Sequence, residues 1–570
     1  MKKQLLVLTL IVNTLFISTA FADNVPSVLE TALQAEKKST FTIKNNETIS
    51  NWQNVLGNRQ QSQKLTIKGN FNTIKSDNIN SPSLVGIIVN KPNDSNEILS
   101  KKQVLSLSNF ILESFKTALT NYGGTVNISS MIFNKNITSE NGGAVYNDSG
   151  VVNINGSSKN YASFTLNKAI SGGAVFNNGT LNMKNTVVGG RKIDYVRHID
   201  ETTGLESDVA VITSLGNIAN FGGGVYNANI ANISGVSFIY NTAEYDGGGL
   251  YNTGKLTLSS SVFEDNKAIN GGAVYTLYTG DNAKHVVNIS KSKFYNNTAT
   301  TSGGAVYVQS GKTIINKSTF GSQFGNGNSA VNGGAIYNSG ADTQIISSSF
   351  SQNYANKGGD IFNTGTMTIS KSTFGYAPKK NYFSTGVLNK WTVAGKTDYS
   401  NVRDNFEGID IVKIPIDELY GSSAKQGGAI FNQANMIINS SKFMYASAIE
   451  GGAIYNDENG TLTINKSNFV NNSAKNKSTT PDDEKVADSD LKGGAIYNKG
   501  NISIIKSTFD GNIAENGIGG GIYNAEGFVS MTGSTLKNNS AKQGGAIYNN
   551  AKMNITSSTF ILNNADEGGA

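Results

Sequence analysis

The sequence predicts an all-β fold, a right-handed parallel β-helix with three faces, in which each coil of chain stacks on the previous one. The first observation is a repeated motif of two glycines, a small residue, an aliphatic residue and an aromatic residue, usually followed by Asn. Its first glycines are Gly142, Gly172, Gly222, Gly247, Gly271, Gly303, Gly333, Gly358, Gly427, Gly451, Gly493, Gly519, Gly544 and Gly568. The steps between them are 30, 50, 25, 24, 32, 30, 25, 69, 24, 42, 26, 25 and 24 residues. A fixed minimum length with occasional longer loops is typical of a stacked solenoid.

The second and third observations are strand-like segments between the glycine motifs. In the unit that begins at Gly247, Leu256-Thr257-Leu258 alternates apolar and hydroxyl residues, so we expect Leu to point inward and Thr outward. Each coil also carries one large apolar residue, followed three positions later by Asn and five positions later by Ala. This pattern starts at Phe164, Phe238, Phe263, Phe350, Phe469, Phe509 and Phe560, with Leu536 replacing Phe once. We expect these residues to stack in a buried column.

The composition agrees with one elongated body rather than several globular domains. The chain of 570 residues has 63 Gly, 6 Pro, 23 Tyr and 26 Phe, and only 15% of its residues are charged. These values suit a turn-rich β protein that folds. The formal net charge of +6 is spread along the whole chain, so we expect no nucleic-acid partner.

The first 22 residues have the features of a secretory signal peptide. Lys2 and Lys3 precede an apolar run from Leu5 to Phe16, and small residues stand at Ala20 and Ala22. We therefore expect export to the cell surface, the outer membrane or the extracellular space. No later segment is long and apolar enough to predict a membrane-spanning helix. The chain has no Cys, so its stability has to come from stacking rather than disulfides.

Residues 23–120 are predicted to form an N-terminal cap and the first irregular coils, before the repeat β-helix of residues 121–570. Ser27 and Glu30 form a possible capping box for a short helix over 28–37. Strand-like pieces without double glycines follow at 41–43, 65–67, 84–89 and 104–107. A cap is expected because the end of a solenoid exposes unpaired backbone. The whole rod should contain about fifteen coils and extend about 70 Å at roughly 4.8 Å per coil.

Within the glycine motif, the aliphatic position is never polar and is predicted to face the core. Strand alternation then places the preceding Ala or Gly, replaced once by Asp360, on the outer face together with the following aromatic residue. A row of Tyr along one outside edge is therefore expected. The Asn after the aromatic residue predicts a ladder of amides from coil to coil at a corner. The glycines suit a tight corner or a close approach of two backbones.

Three insertions interrupt the stack at about 185–221, 375–426 and 475–492. Loops of this length are either functional or without fixed structure, and on a solenoid they are the candidates for specific binding. The first is mixed in charge and can be partly ordered. The second could fold as a small projection or contain one extra, degenerate coil. The third, with Pro481-Asp482-Asp483-Glu484, is predicted to be a flexible charged loop.

The sequence predicts no catalytic, cofactor-binding or metal-binding residues. Glycoside cleavage needs paired carboxylates at a set separation, but the acidic residues Asp246, Glu264, Asp265, Asp281, Asp360, Asp482 and Asp483 are scattered. His198 and His285 are isolated from one another, and without Cys there is no candidate site for a transition metal. The acidic repeats of calcium-binding β-rolls are not found either.

The pairing of Phe-x-x-Asn with Gly-Gly-Ala-Ile/Val-Tyr-Asn resembles the repeats of polymorphic outer membrane proteins, which belong to the autotransporter class. Both motifs occur together at Phe509–Asn512 and Gly519–Asn524, and the resemblance covers about residues 123–570. It implies a surface-exposed or secreted passenger with a pectin-lyase-like β-helix that acts as an adhesin or virulence factor. It implies no catalytic residues or cofactors. In such passengers a C-terminal β-barrel provides the membrane anchor, and we expect anchoring of this protein only through a barrel outside this chain. The cysteines frequent in the family are not found here.

The favoured function is a non-enzymatic adhesin that presents its insertions to a glycan or protein receptor on a host cell or other surface. One alternative is a carbohydrate-active enzyme, a polysaccharide lyase or hydrolase, on the same fold. Another is a purely structural passenger or the remnant of a truncated autotransporter, since the sequence stops inside a repeat. The Tyr row can bind sugars, pack against another rod or simply favour β structure.

Overall fold

The chain forms a parallel β-helix in which three long sheets run side by side along one rod. The computed structural model describes residues 31–33, 39–49, 64–76, 84–89, 103–157, 161–199, 206–278, 286–322, 326–376, 387–393, 396–398, 412–415, 421–475 and 487–569. In these ranges, helical structure is confined to 31–33 and a 3-10 turn at Asp488–Asp490. The predicted all-β parallel helix is therefore confirmed.

Each regular coil contributes one strand to each sheet, in the order sheet 1, sheet 2, sheet 3. The strands of sheet 1 are Ile87–Val89, Leu119–Asn121, Val145–Asn147, Val175–Asn177, Val225–Asn227, Leu250–Asn252, Val274–Thr276, Val306–Val308, Ile336–Asn338, Ile361–Asn363, Ile430–Asn432, Ile454–Asn456, Ile496–Asn498, Ile522–Asn524 and Ile547–Asn549. The strands of sheet 2 are Ser39–Ile43, Lys64–Gly69, Val104–Ser108, Thr125–Ser129, Val151–Asn155, Thr180–Lys184, Ile230–Ser234, Lys255–Ser259, Val286–Ser290, Lys312–Asn316, Asp342–Ile346, Thr366–Ser370, Asn435–Asn439, Thr461–Asn465, Asn501–Ile505, Phe528–Thr532 and Lys552–Thr556. The strands of sheet 3 are Glu47–Ile49, Thr73–Ser76, Ile111–Glu113, Ile132–Asn134, Ala162–Thr165, Thr186–Gly189, Ser237–Ile239, Val262–Glu264, Lys293–Tyr295, Thr319–Phe320, Ser349–Phe350, Thr373–Phe374, Lys442–Met444, Asn468–Val470, Thr508–Asp510, Thr535–Lys537 and Thr559–Ile561.

A shorter strip of strands lies between sheet 3 and the next pair of glycines. Its strands are Ile218–Phe221, Thr242–Asp246, Lys267–Asn270, Thr298–Ser302, Ser447–Ala448, Ser473–Ala474 and Ile513–Ala514. Sheet 2 has 17 strands. At about 4.8 Å between neighbouring strands, the stack is roughly 75 Å long.

The core lies between the three sheets and is formed by equivalent residues of successive coils. In sheet 2, Leu256 and Leu258 are buried whereas Thr257 is exposed, as the alternation predicts. The large apolar residues of sheet 3 form the predicted column, with the rings of Phe320 and Phe350 centred 4.8 Å apart and almost parallel. Because every coil meets its neighbours in register, each large side chain rests on its own copies.

The two glycines of each motif have different roles, which correspond to the two that the sequence suggested. The first is left-handed, with a φ of 60° at Gly271, a conformation that only glycine adopts at little cost. The second allows coils to approach, since a Cβ at Gly272 would lie 2.4 Å from the carbonyl oxygen of Gly304. The first glycine thus turns the chain, and the second allows the backbone of the next coil to approach closely.

The residue after the glycines points into the core, and the prediction that it lies on the outer face is wrong. Ala273 and Ala305 are completely buried. A Cβ at the equivalent Gly249 would lie 2.8 Å from the ring of Phe263. The strand begins only at Val274, and the left-handed Gly271 turns the chain two residues before Ala273, so strand alternation does not extend back to this residue. Its small size is explained by the adjacent Phe column, and Asp360 occupies this buried position in one coil.

The Asn that ends most sheet 1 strands forms the predicted ladder, here called the sheet-1 ladder. The amide nitrogen of Asn147 donates to the amide oxygen of Asn177 at 2.7 Å and also to the carbonyl of Gly150. The members are Asn121, Asn147, Asn177, Asn227, Asn252, Asn338, Asn363, Asn432, Asn456, Asn498, Asn524 and Asn549. These residues lie in strands, so the left-handed turn belongs to the glycine and not to the Asn.

A second amide ladder runs through the Asn of the Phe-x-x-Asn pattern, and sequence reasoning gave this residue no role. In this corner ladder, the amide nitrogen of Asn266 donates to Asn297 Oδ1 at 2.9 Å and to the carbonyl of Phe238 in the previous coil. The members are Asn136, Asn167, Asn217, Asn241, Asn266, Asn297, Asn328 and Asn353, and then Asn472, Asn512, Asn539 and Asn563. Each buried amide therefore connects three coils.

The stack begins before the first double glycine. The strand-like pieces predicted between residues 41 and 107 belong to strands of the same sheets as the repeats, and Ser39–Ile43 pairs in register with Lys64–Gly69. Residues 31–33 of the predicted N-terminal helix are helical, and Ala32 and Leu33 are buried in the core. The rest of that helix and the signal peptide lie outside the described residues.

Candidate binding surfaces

The aromatic residues of sheet 1 form a continuous stack along the rod. Neighbouring rings are parallel and about as far apart as the strands, for example 4.9 Å between the ring centres of Tyr307 and Tyr337. The stack comprises Tyr146, Phe176, Tyr226, Tyr251, Tyr275, Tyr307, Tyr337, Phe362, Phe431, Tyr455, Tyr497, Tyr523 and Tyr548. The predicted row exists, but its ring faces cover one another.

This stacking limits what the row can bind. Tyr251 and Tyr275 are each 8% exposed, and Phe431 only 1%. Burial raises the pKa of Tyr251 to about 12 and also raises the pKa of Tyr275, so these hydroxyls stay neutral at physiological pH. A sugar ring cannot lie flat on faces that are already stacked. The geometry therefore favours a structural role for the row.

The first and second insertions leave the stack at one corner, between a sheet 3 strand and the next residue of the corner ladder, and a short loop between Gly321 and Gly327 does the same. We call this place the insertion corner. The third insertion leaves later in its coil, after Ser473–Ala474. At the insertion corner the chain leaves through left-handed glycines and returns through glycines that touch the next coil. The exit glycines are Gly189, Gly321 and Gly375, with φ of 86°, 76° and 83°. The return glycines are Gly216, Gly327 and Gly421, where a Cβ would lie 1.8, 1.7 and 1.9 Å from a carbonyl oxygen of the next coil. In an uninterrupted coil one left-handed residue, such as Tyr240, makes this connection.

The first insertion is a long antiparallel hairpin of Arg191–Ile199 and Glu206–Ser214. The apolar side chains that are described in it are exposed, with Ile193 opposite Ile212. The most exposed is Tyr195, at 72%. At its base, Arg191 Nη1 contacts Glu264 Oε1 of the stack at 3.2 Å. The insertion is thus an ordered projection with an apolar surface, held to the rod by a charged contact.

The second insertion contains a small antiparallel sheet rather than another coil. Val387–Val393 pairs with Lys396–Asp398 on one side and with Val412–Pro415 on the other. Of the two forms that the sequence left open, the described strands correspond to a projection. In the third insertion, Pro481-Asp482-Asp483-Glu484 lies outside the described residues, and the segment rejoins the stack through Asp488–Asp490.

The structure places the candidate acidic residues in different surroundings. Asp246 accepts a hydrogen bond from Asn270, Glu264 contacts Arg191, and Asp360 is buried inside the stack. Asp281, Asp482, Asp483 and His285 lie outside the described residues, as does the side chain of His198. Among the residues that are described, no group of three or more His, Cys, Asp or Glu side chains is placed to hold a metal ion.

The described segments also include no helix with the length and apolar character needed to cross a bilayer.

Comparison with known proteins identifies the repeats. The family model of the Chlamydia polymorphic membrane protein repeat matches residues 130–148, 260–277, 291–309 and 533–550. The chain carries polymorphic membrane protein repeats. The resemblance stated from the sequence is thereby confirmed. Proteins of this family are surface proteins of the outer membrane. A search of curated proteins finds no match to this chain.

The matched polymorphic membrane protein unit corresponds to a defined part of the coil. Each match begins at a left-handed residue between sheets 2 and 3, namely Ser130, Ser260, Lys291 or Gly533. Each ends one residue after a sheet 1 strand. The family repeat therefore contains sheet 3, the corner ladder, the glycine turn and sheet 1. Sheet 2 and the insertions lie outside these matches.

Proposed function

We propose that this protein is a non-enzymatic adhesin, whose β-helix carries projecting insertions that bind a receptor on another cell. The observation on which the proposal mainly rests is the hairpin at 191–214, which exposes Ile193, Tyr195, Val211 and Ile212 to solvent. Exposed apolar groups on an ordered projection are costly for a monomer unless they meet a partner. The family, whose members are outer-membrane surface proteins, supports a location where such a partner is accessible.

The parts of the protein that hold the coils together are separate from the insertions that would bind a receptor, and this separation suits an adhesin. The contacts between coils occupy the inner columns and ladders, whereas the first and second insertions leave from one corner between glycines. Insertions can then differ in length without displacing the strands on either side. The same corner places the projections on one side of the rod, where a single large partner could contact more than one of them.

The test compares binding of purified mature protein and insertion variants to cultured epithelial cells. Deletion of 191–214 joins Gly190 to Leu215, whose backbone groups already form a hydrogen bond of 2.8 Å. We expect this variant to keep the thermal stability of the rod and to lose cell binding. A variant with Thr at Ile193, Tyr195, Val211 and Ile212 keeps the hairpin while removing its apolar surface, and we expect the same loss.

Deletion of 377–420 serves as the comparison for the second insertion. If neither deletion changes cell binding, the insertions are not the receptor-binding parts. If the intact protein binds no cells, the structural-passenger alternative is favoured. Release of reducing or unsaturated sugars from pectic or host glycans would instead favour the enzyme alternative.

A further inference from the structure

A row of lysines lies along the corner between sheets 2 and 3, at the left-handed residue of successive coils. In seven consecutive coils this residue is Lys291, Lys317, Ser347, Lys371, Ser440, Lys466 and Lys506. All seven are exposed, with φ between 48° and 53°. We call the five lysines at these positions the lysine ridge.

Backbone hydrogen bonds keep these residues aligned. The backbone nitrogen of Lys291 donates to the carbonyl of Asn316, the residue before Lys317, and Lys466 donates in the same way to Ile505, the residue before Lys506. The lysine positions thus differ by one coil rise, about 4.8 Å, and the ridge spans roughly 29 Å over six rises. The alignment comes from the fold, because the five lysines are 26 to 95 residues from the next one in sequence.

The ridge and the residues beside it carry more positive charge than the net charge of the whole protein. The strip around it is formed by residues 288–293, 314–319, 344–349, 368–373, 437–442, 463–468 and 503–508. These segments contain seven Lys and no Arg, Asp or Glu, which gives +7, compared with +6 for all 570 residues. The remainder of the chain therefore sums to −1.

No acidic partner faces the ridge lysines among the residues that the structure describes. Ion pairs elsewhere on the described surface include Lys312 with Asp342 and Lys537 with Asp510. None of the ion pairs found in the described part of the chain includes Lys291, Lys317, Lys371, Lys466 or Lys506. Their positive charge is therefore available to an external anion.

Lysine is an unfavourable choice for the geometry of this corner. The left-handed conformation disfavours residues with a long side chain, and Gly or Asn adopts it more readily. Other coils of this protein use Gly235, Gly533 or Asn185 at the same corner. A structural requirement for the turn alone does not explain lysine at five of seven consecutive positions. A requirement for positive charge does.

We propose that the lysine ridge binds a linear sulfated polysaccharide, which lies along the rod axis. Five of the seven lysines of the strip lie in a single line along the rod, which matches an anionic chain better than a flat membrane surface. Its flanks carry groups that can bond to sugar hydroxyls, such as Ser290, Ser370 and Asn465, and the strip has no aromatic side chain on which nucleic-acid bases could stack. The inference assumes the exposed location of the proposed function, but it is independent of the insertions.

The test measures binding of the full mature chain to immobilised heparin as a linear sulfated polysaccharide. The ridge variant replaces Lys317, Lys371, Lys466 and Lys506 with Ser, the residue that Ser347 and Ser440 already show to fit this corner. We expect heparin affinity to fall at least about tenfold, because each exposed charge contact adds a modest amount. Binding of the unchanged protein should weaken as salt is raised, and desulfated heparin should bind much less.

A matched control replaces Lys168, Lys255, Lys267 and Lys425 with Ser. These lysines are exposed and unpaired among the described residues but lie away from the ridge, so the loss of net charge is identical. We expect this variant to bind heparin almost as well as the unchanged protein. An equal loss of heparin affinity in both variants would show that only net charge matters and would overturn the proposal that the ridge is the binding site.

Two further outcomes separate this inference from its rivals. Binding to vesicles that contain phosphatidylserine, without binding to heparin, would replace the polysaccharide with a membrane and overturn the proposal. The hairpin deletion variant should keep full heparin affinity even where it loses cell binding. If it lost heparin affinity, the charge would act through the hairpin and the ridge would not be the site.

Discussion

The first and second insertions leave the stack at the same corner, but they return to it differently. After the hairpin, Asn217 continues the corner ladder, accepting from Asn167 and donating to Asn241 at 2.9 Å. After the second insertion, the equivalent residue is Ser422, whose side chain is too short to reach both neighbours. Ala446 follows in the next coil, so the ladder lacks amides until Asn472.

A buried carboxyl group repairs the interrupted ladder. Asn353 would normally donate to the next Asn, and it donates instead to Asp360 Oδ1 at 2.8 Å. The hydroxyl of Ser422 donates to the same oxygen. Asp360 can do this because the residue after the glycines faces the core beside the ladder. The comparison shows that the acceptor for a buried ladder amide can come from another position of the coil, here Asp360, but that the amide has to have an acceptor.

The largest loss of stability is expected from Asn217→Ala, at the point where the chain rejoins the stack after the hairpin. This change removes the acceptor of the Asn167 amide and backbone N–H and the donor to the carbonyl of Phe164. We expect a loss of about 3–5 kcal/mol of unfolding free energy, because several buried groups are left without partners. Chemical denaturation measures it. Ser422→Ala is the matched change at the repaired return and should cost less, because Asp360 still accepts from Asn353.

Substitution of the return glycines should cause the next largest loss of stability. It tests whether both insertions rejoin the stack through the same close approach to the next coil. A Cβ at Gly216 or Gly421 would overlap a backbone carbonyl of the next coil, at 1.8 and 1.9 Å. Either change to Ala should cost about 2–3 kcal/mol by overpacking. Gly340→Ala is the control, since Gly340 is left-handed but has no atom within 4 Å of the added Cβ. Its cost should be about 1 kcal/mol. Equal costs at all three sites would refute the role of close approach.

Asp360 should make the stability of the second return depend on pH. Burial raises the pKa of this carboxyl from 3.8 to about 7, although Ser422 and Asn353 donate to it and partly offset the effect. The folded state therefore holds the proton more tightly than the unfolded state. Unfolding free energy should fall as pH rises from about 4 to about 7, and then level off.

The variant that combines Asp360→Ala, Ser422→Asn and Ala446→Asn rebuilds a continuous ladder and should remove this dependence. Relative to the original protein it should gain about 1–3 kcal/mol at pH 8. Denaturation curves at pH 5 and pH 8 measure the difference between the two proteins. A pH response that is the same in both would show that Asp360 is not its source.

Sequence reasoning succeeded where one relation recurs in every coil. The aliphatic core positions, the Phe column and the sheet-1 ladder repeat often enough for period and residue type to define them. It failed for Ala273 and its equivalents, because alternation was extended beyond the start of the strand into the glycine turn. From the sequence alone, Asp360 was an exception without an explanation. Its explanation is Ser422, which stands in place of a ladder Asn 62 residues later in the chain. The lysine ridge was missed because its register appears only after unequal loops are removed.

The smallest effect is expected at the base of the hairpin, where the first insertion is held by a charged contact at the surface. Arg191→Met keeps much of the apolar length of the side chain but removes the contact with Glu264. Partial exposure of both groups limits the cost to about 0.5 kcal/mol. Hydrogen exchange should therefore become faster at the hairpin amides near Arg191 while exchange at Asn217 and in the stack stays unchanged. Faster exchange at Asn217 as well would mean that the insertion and the ladder are mechanically coupled, contrary to the separation that the glycine-bounded corner indicates.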